Sequence, residues 1–577
     1  MAITETSTTK TDAQSLAPST ESAVSTGSTG SPVPAPRGLA GVLGSGDHKT
    51  IGRLYIGFSL LFGLAAFGLW VAFGLEAMKD LASQTDRGFW NFTLSQLSLI
   101  LLFVIPLFVG LATAIVPLQV GASTVAFPRA AALAFWVWLI SAVLLIVSYL
   151  PGVNGGVFGA DANGQGLTQL ALGGLIVSLV LASVCITTTV IALRVPGLGL
   201  DRVPLFSWSM LVAGGLWILT LPVLLANVAL IFIDSKYGAP SKFAVGYSQW
   251  TQLAWITGPP QIFAAAIPAL GIAADALSTL AGVRIPRRSV ALFAIGAFGA
   301  LSFGAYAQLA YNPEVYGQWP FIAQSVLIVL PVLLLLGASA PWMRRGARAG
   351  AGPVLCGFVA LVLLLLASVA SAVFAISPLG LQTNFKALTD TSRPVFEASA
   401  GVPVFAWGIS GLVVPAAIAG AVAGLAFWSA KLAGRPLRNG WVSLVAVLLL
   451  VAALLSSVPL LVLGFAAKAE ALVDNAKVLY GISLAGAAVA VVAVALAFML
   501  FFFARVGVAR HGSSTDPDPW GSGQSLEWAT DSPPANGNFG VLPVVRSPEP
   551  LLDAAEAARA ASNTEPGTAL ATTGEAN

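Results

Sequence analysis

From Ile51 to about Arg505 the chain alternates long apolar runs with short polar or basic breaks. Twelve runs stand out: 52–77, 94–119, 131–151, 168–194, 204–235, 252–282, 286–311, 320–341, 352–375, 401–429, 440–467 and 477–505. Each is near the ~20 residues that an α-helix needs to cross the hydrocarbon of a bilayer. Without water in that layer the backbone must satisfy its own hydrogen bonds, so runs of this length predict helices. The pattern therefore predicts an all-α membrane protein with twelve transmembrane helices.

Outside the runs the character changes. Residues 1–45 are rich in Ser, Thr, Ala, Pro and Gly. Such a stretch cannot bury an apolar core and is expected to be a disordered tail. It holds no apolar core segment of a secretory signal. Residues 46–510 form the expected bundle. Residues 511–577 form a polar C-terminal tail, whose last part, from about Ala554, is expected to be a short helix or disordered.

Composition supports the membrane assignment. Of 577 residues 57% are hydrophobic and only 9% charged, against about 25% charged in a soluble domain. The net charge of +3 points to no polyanion, and no nucleic-acid-binding pattern is present. One set of loops and helix ends carries 16 Lys and Arg, the alternate set 8. That excess predicts that both termini are cytoplasmic, as an even number of helices requires. Heavy use of Ala, Gly and Arg points to a GC-rich bacterium, hence to its plasma membrane. Cys185 and Cys356 stand alone in apolar runs and read as packing residues.

Candidate chemistry is sparse. The chain has two histidines, His48 and His511; both flank the apolar body, where they read as interfacial or solvated. Gln96, Gln261 and Gln308 are polar positions inside apolar runs. They are expected to hydrogen-bond between helices, with binding of a small polar ligand or water as the alternative. Asp275 lies near one end of the sixth run. An intramembrane acid is a functional candidate, but this one is expected to reach the interface. Pro259-Pro260 should break or kink the sixth helix.

Four segments carry a resemblance. "DHKTIGRLYIGFSLLFG" (47–63), "VPLQVGASTVAFPRAAALAFW" (116–136), "TTTVIALRVPGLGLDRVPLFSWSMLVAGGLWILTLPVL" (187–224) and "DPWGSGQSLEWATDSPPANGNFGVLPVV" (518–545) are similar, in order, to stretches of subunit I of the haem–copper oxidases. That resemblance implies the family's twelve-helix bundle, and a tail motif over 518–545.

The family's cofactors are two haems and a copper, held by six buried histidines. Carried onto this chain, the ligand positions are Ser95 in the second run, Pro259 in the sixth, Gln308 and Leu309 in the seventh, and Gly408 and Ser410 in the tenth. The proton-handling carboxylate falls at Gln261 and the adjacent tyrosine at Phe263. The aspartate at the mouth of one proton route falls at Thr124, the asparagines after it at Ala131 and Ala132, and the lysine of a second route at Leu335. Between Lys49 and Arg510 no histidine exists to replace the missing ligands. Tyr306 and Tyr311 are the nearest other donors to the seventh-run pair. No catalytic, cofactor-binding or metal-binding residue is therefore expected.

The sequence thus predicts a subunit I-like membrane protein without haem or copper, serving as a structural or accessory subunit of a respiratory or redox complex. Expected partners are the lipid bilayer and subunits similar to II and III. Two alternatives remain: an active terminal oxidase with unusual ligands, and a transporter or lipid- or quinone-binding protein that reuses the interior.

Overall fold

The computed structural model describes residues 44–79, 96–149, 162–238, 252–285, 287–344, 351–382, 403–467, 475–511, 516–540 and 544–564, with residues 41, 472 and 542. The expected disordered tail, 1–45, falls almost wholly outside these residues, as does Ser95. Ser45–Asn577 forms one compact unit.

The architecture is helical. In chain order the bundle consists of α1 (His48–Lys79), α2 (Ile105–Val120, extended at its start by a π-helical turn, Leu99–Val104), α3 (Pro128–Ser148), α4 (Ala162–Ala192) and α5 (Leu205–Tyr237). It continues with α6 (Ile267–Ala281), α7 (Arg288–Leu301), α8 (Trp319–Leu327 and Val329–Arg344), α9 (Ala351–Phe374), α10 (Val404–Phe427), α11 (Asn439–Leu463) and α12 (Ala476–His511). The tail adds α13 (Pro550–Thr564), while residues 565–577 lie outside the described residues. His511 closes α12 rather than lying beyond it.

Among the described residues eleven helices are long and apolar enough to cross a membrane. The seventh run differs from its expectation. Only the 14 residues of α7 are helical, about 21 Å at 1.5 Å per residue, and 302–311 forms turns. The cause is local. The Gly304 N–H donates to the Gln261 side-chain oxygen (2.9 Å) instead of continuing a helix.

The sixth run also departs from a single helix, as Pro259-Pro260 foretold. It opens with the 3-10 turn Ala254–Ile256, passes the cis Pro259–Pro260 bond, winds as a 3-10 helix over Gln261–Ala266 and becomes α-helical only from Ile267. Proline lacks an N–H and clashes with the preceding turn, so a regular helix cannot run through the pair.

The most apolar stretches of α2, of the 261–281 segment and of α10 are wholly buried, whereas those of α3, α8 and α12 are only a third or so buried. The first group makes the core and the second presents Leu133, Ile140, Leu330 and Val492 outward, as a lipid-facing surface requires. Small residues allow the close packing. A Cβ on Gly52 would lie 2.6 Å from the Gly110 carbonyl oxygen, and one on Gly420 2.2 Å from the Ala269 Cβ. Between membrane helices such contacts replace the hydrophobic drive that lipid removes.

Candidate functional site

Gln308, at one of the copper positions the resemblance assigns, and Gln261, at the carboxylate position, form a carboxamide cluster against α5. Gln261 donates to the Thr220 hydroxyl (3.3 Å) and accepts from the Gly304 N–H. Gln308 accepts from Asn227 Nδ2 (2.9 Å) and donates to the Ala305 carbonyl (2.7 Å). Asn227 also donates to the Gln252 carbonyl. Thr220 and Asn227 are two turns apart on α5, about 10 Å along its axis, so both glutamines are tied to one helix. Pro259 is buried between the two 3-10 turns, Phe263 is fully buried edge-on to Phe298, and Leu309 is half-buried. Hydrogen bonding between helices is expected of Gln96, Gln261 and Gln308; Gln261 bonds to α5, and Gln308 reaches α5 from the turns of 302–311 rather than from a helix.

At the inherited haem positions of α10 the interior is closed by packing. A Cβ on Gly408 would lie 2.7 Å from the Leu461 side chain. The Ser410 hydroxyl donates to the Thr257 carbonyl of the sixth run. Beside Ser410, a cavity lined by Phe67, Trp70, Gln96, Gly411 and Ser456 offers about 10 Å³ to the centre of a water molecule. That is close to the minimum for one water. Gln96 is buried there.

The other carried-over positions lie apart. Thr124 is half-buried in the α2–α3 turn, Ala131 is buried and Ala132 half-buried at the start of α3, and Leu335 is buried in α8. Tyr306 donates to the Gln324 side chain of α8, and burial pushes its phenol up to about 12. Tyr311 is exposed at its turn. Cys185 and Cys356 are buried in separate helices, as packing residues should be.

Two sequence expectations change at the end of the bundle that carries the tail. His48, the first residue of α1, is buried rather than solvated, 1% exposed. One ring nitrogen faces the Thr113 carbonyl at 3.0 Å and the other faces the Asn538 side chain. Lys49 Nζ donates to Asn538 Oδ1 and to the Ala535 carbonyl. The start of α1, the middle of α2 and the tail are thus stitched together, and both His48 nitrogens are engaged.

Asp275 likewise does not reach the interface. It is 8% exposed and accepts from the backbone N–H groups of Leu205 (3.0 Å) and Phe206 (2.9 Å). These open α5, whose N-cap Pro204 supplies no side-chain cap. Asp275 provides the missing acceptor from α6, where the helix dipole favours a negative charge. Gln119 Nε2 donates to both Asp275 (3.4 Å) and Glu527 of the tail (3.1 Å), and Gln119 accepts from Ser207 (2.7 Å). Trp428 adds a long bond to Glu527 (3.4 Å). Sequence reading found neither Gln119 nor Glu527. The preserved tail motif was the available signal, but it does not reveal which helix the tail touches.

These side chains do not fit two haems and a copper. The family's set is imidazole; here the positions the resemblance assigns hold one amide, two hydroxyls, a proline ring, a glycine and a leucine, and the space beside Gly408 is filled by Leu461. Among the described residues no three of His, Cys, Asp and Glu come together as a metal site.

The helix order, the broken sixth segment and the docked tail define a multi-span oxidase subunit I architecture. The family model for Cytochrome C and Quinol oxidase polypeptide I matches residues 50–389, more than half of the chain. The chain belongs to that family. It is 30% identical to a provisionally named cytochrome c oxidase subunit 1-beta of Streptomyces coelicolor, over 88% of this chain and 89% of that protein. It is 26% identical to a cytochrome c oxidase subunit 1 of Corynebacterium glutamicum, over 88% and 87% of the two chains. Identity to a heme-copper oxidase subunit I+III of Aeropyrum pernix is 27%, over 89% of this chain and 63% of that longer one.

Proposed function

We propose that this family member is a catalytically degenerate subunit I, holding neither haem nor copper and acting as a structural or accessory subunit of a respiratory or redox complex. Imidazole supply carries this reading. Of two histidines in 577 residues, His48 has both nitrogens committed and His511 ends α12. The carboxamides of Gln308, where the resemblance puts a copper ligand, and of Gln261, where it puts the proton-handling carboxylate, are bonded to α5. Amides are poor partners for iron and copper, which favour imidazole or thiolate.

The fitting location is the bacterial plasma membrane, with both termini cytoplasmic by the excess of basic residues. The fitting partners are subunits similar to II and III. The name of the Aeropyrum relative, subunit I+III, supports association with a III-like chain.

The test is to purify the chain from its native membrane in mild detergent, then measure metals and reduced-minus-oxidised spectra. We expect co-purifying subunits and no haem or copper stoichiometric with this chain. A stoichiometric haem band assigned to this polypeptide would overturn the reading and restore an active oxidase with unusual ligands.

A further inference from the structure

The bundle interior leaves one acid unexplained. Glu527 is 0% exposed, in the 3-10 turn Leu526–Ala529. Its Oε1 takes the bonds from Gln119 and Trp428, while its Oε2 has no hydrogen-bond partner. Across Gln119 stands the second acid, Asp275, with two backbone donors of its own at the α5 N-terminus. One side-chain nitrogen thus separates two buried carboxyl groups, and their surroundings are unequal.

Unequal surroundings decide which acid carries charge. Asp275 has three donors and the positive end of a helix, all of which favour carboxylate. Arg288 of α7 lines the same small cavity as Asp275. Glu527 takes the Gln119 bond and the long Trp428 bond on one oxygen and none on the other, and only the Gln119 side chain separates it from Asp275. A second buried negative charge there is opposed by desolvation and by like-charge repulsion.

We propose that Glu527 is a proton-binding site: it holds its proton at neutral pH beside an ionised Asp275, and the bound proton keeps the tail seated on the bundle. Burial pushes the Glu527 carboxyl above the ordinary carboxylate range, against smaller opposing effects of Gln119, Ser525 and Trp428.

The other charges around the pair are accounted for. Lys431, in the short helix Ser429–Ala433 after α10, donates to the Thr530 and Asp531 carbonyls and stands 5.5 Å from the Trp528 ring centre. Burial pushes it down to about 8, while Glu527, Asp518, Asp531 and Asp516 raise it. Its bonds go to carbonyls rather than to Glu527. On the opposite side Arg288 pairs with Glu549 (3.8 Å). A cavity lined by Asp275, Arg288, Gln524, Ser525 and Glu549 has about 10 Å³ for a water centre, room for about one water.

The sign of the pH effect follows. A released tail gives Glu527 its ordinary acidity, whereas the seated tail binds the proton more tightly. Seating is therefore strongest below the ordinary carboxylate pKa and weakens as pH rises through the window up to the raised value. One proton in that window changes the released population about tenfold per pH unit.

Hydrogen exchange of the 524–540 peptides, on the full chain in lipid nanodiscs, tests this. The ratio of wild-type to Glu527→Gln exchange rates at each pH cancels the chemical pH dependence and is expected to climb up to tenfold per unit. Infrared titration should show a protonated carboxyl band at pH 7 that Glu527→Gln removes. Asp275→Asn, which relieves the repulsion, should move loss of that band to lower pH and remains informative should Glu527→Gln fail to fold. A flat exchange ratio, or no wild-type carboxylic acid band at pH 7, overturns the proposal.

Discussion

At the scale of single residues, Asp275 shows what a side chain's partners decide. In sequence it is an acid near a helix end, which suggests contact with water. In the fold it receives the first two free N–H groups of α5. Asp275→Ala would leave buried donors unmet, each costing about 1–3 kcal/mol. Thermal unfolding in detergent should show a clear loss of stability for Ala and a smaller one for Asn, whose oxygen still accepts. The scarcity of histidine was plain in the sequence because it is a count. The pairing of Asp275 with Glu527 was not, because 252 positions separate them and no local pattern encodes that encounter.

At the scale of helices, the apolar runs gave most of the spans directly, since span length follows from bilayer thickness. The sequence could not show where α7 stops, because 302–311 holds no charged residue and no proline to mark the end. Its unwinding depends on Gln261, a residue of another segment. Helix contacts can be tested on two glycines of α1. A Cβ at Gly52 would meet the Gly110 carbonyl oxygen at 2.6 Å, whereas one at Gly57 meets nothing within 4 Å. Gly52→Ala should force α1 from α2 and lower the melting temperature, by the equivalent of about 1–3 kcal/mol for overpacking. Gly57→Ala should leave it within measurement error or slightly raise it, as alanine favours helix.

At the scale of the whole molecule, a bundle can keep its helix order while its interior changes use. Resemblance in 47–63, 116–136, 187–224 and 518–545 made the architecture legible, because those segments fix helix joins and the tail. The interior was legible only as a set of losses. What fills it, Leu461 against Gly408 and the amide cluster on α5, depends on tertiary packing. Restoring one ligand should therefore not restore haem binding. Gly408→His would drive an imidazole into Leu461, and we expect reduced stability with no new Soret absorbance after haem is added. A stoichiometric band would show that the interior still yields to a cofactor.

The stitch of His48 and Lys49 to Asn538 has a consequence for biogenesis. Partners nearly five hundred positions apart cannot meet until translation has almost finished. Through most of synthesis the start of the first span therefore waits, incompletely satisfied, for the last part of the chain to leave the ribosome. A chain stopped before the tail would insert its spans yet leave this seam open, giving membrane quality control a ready mark of an unfinished product.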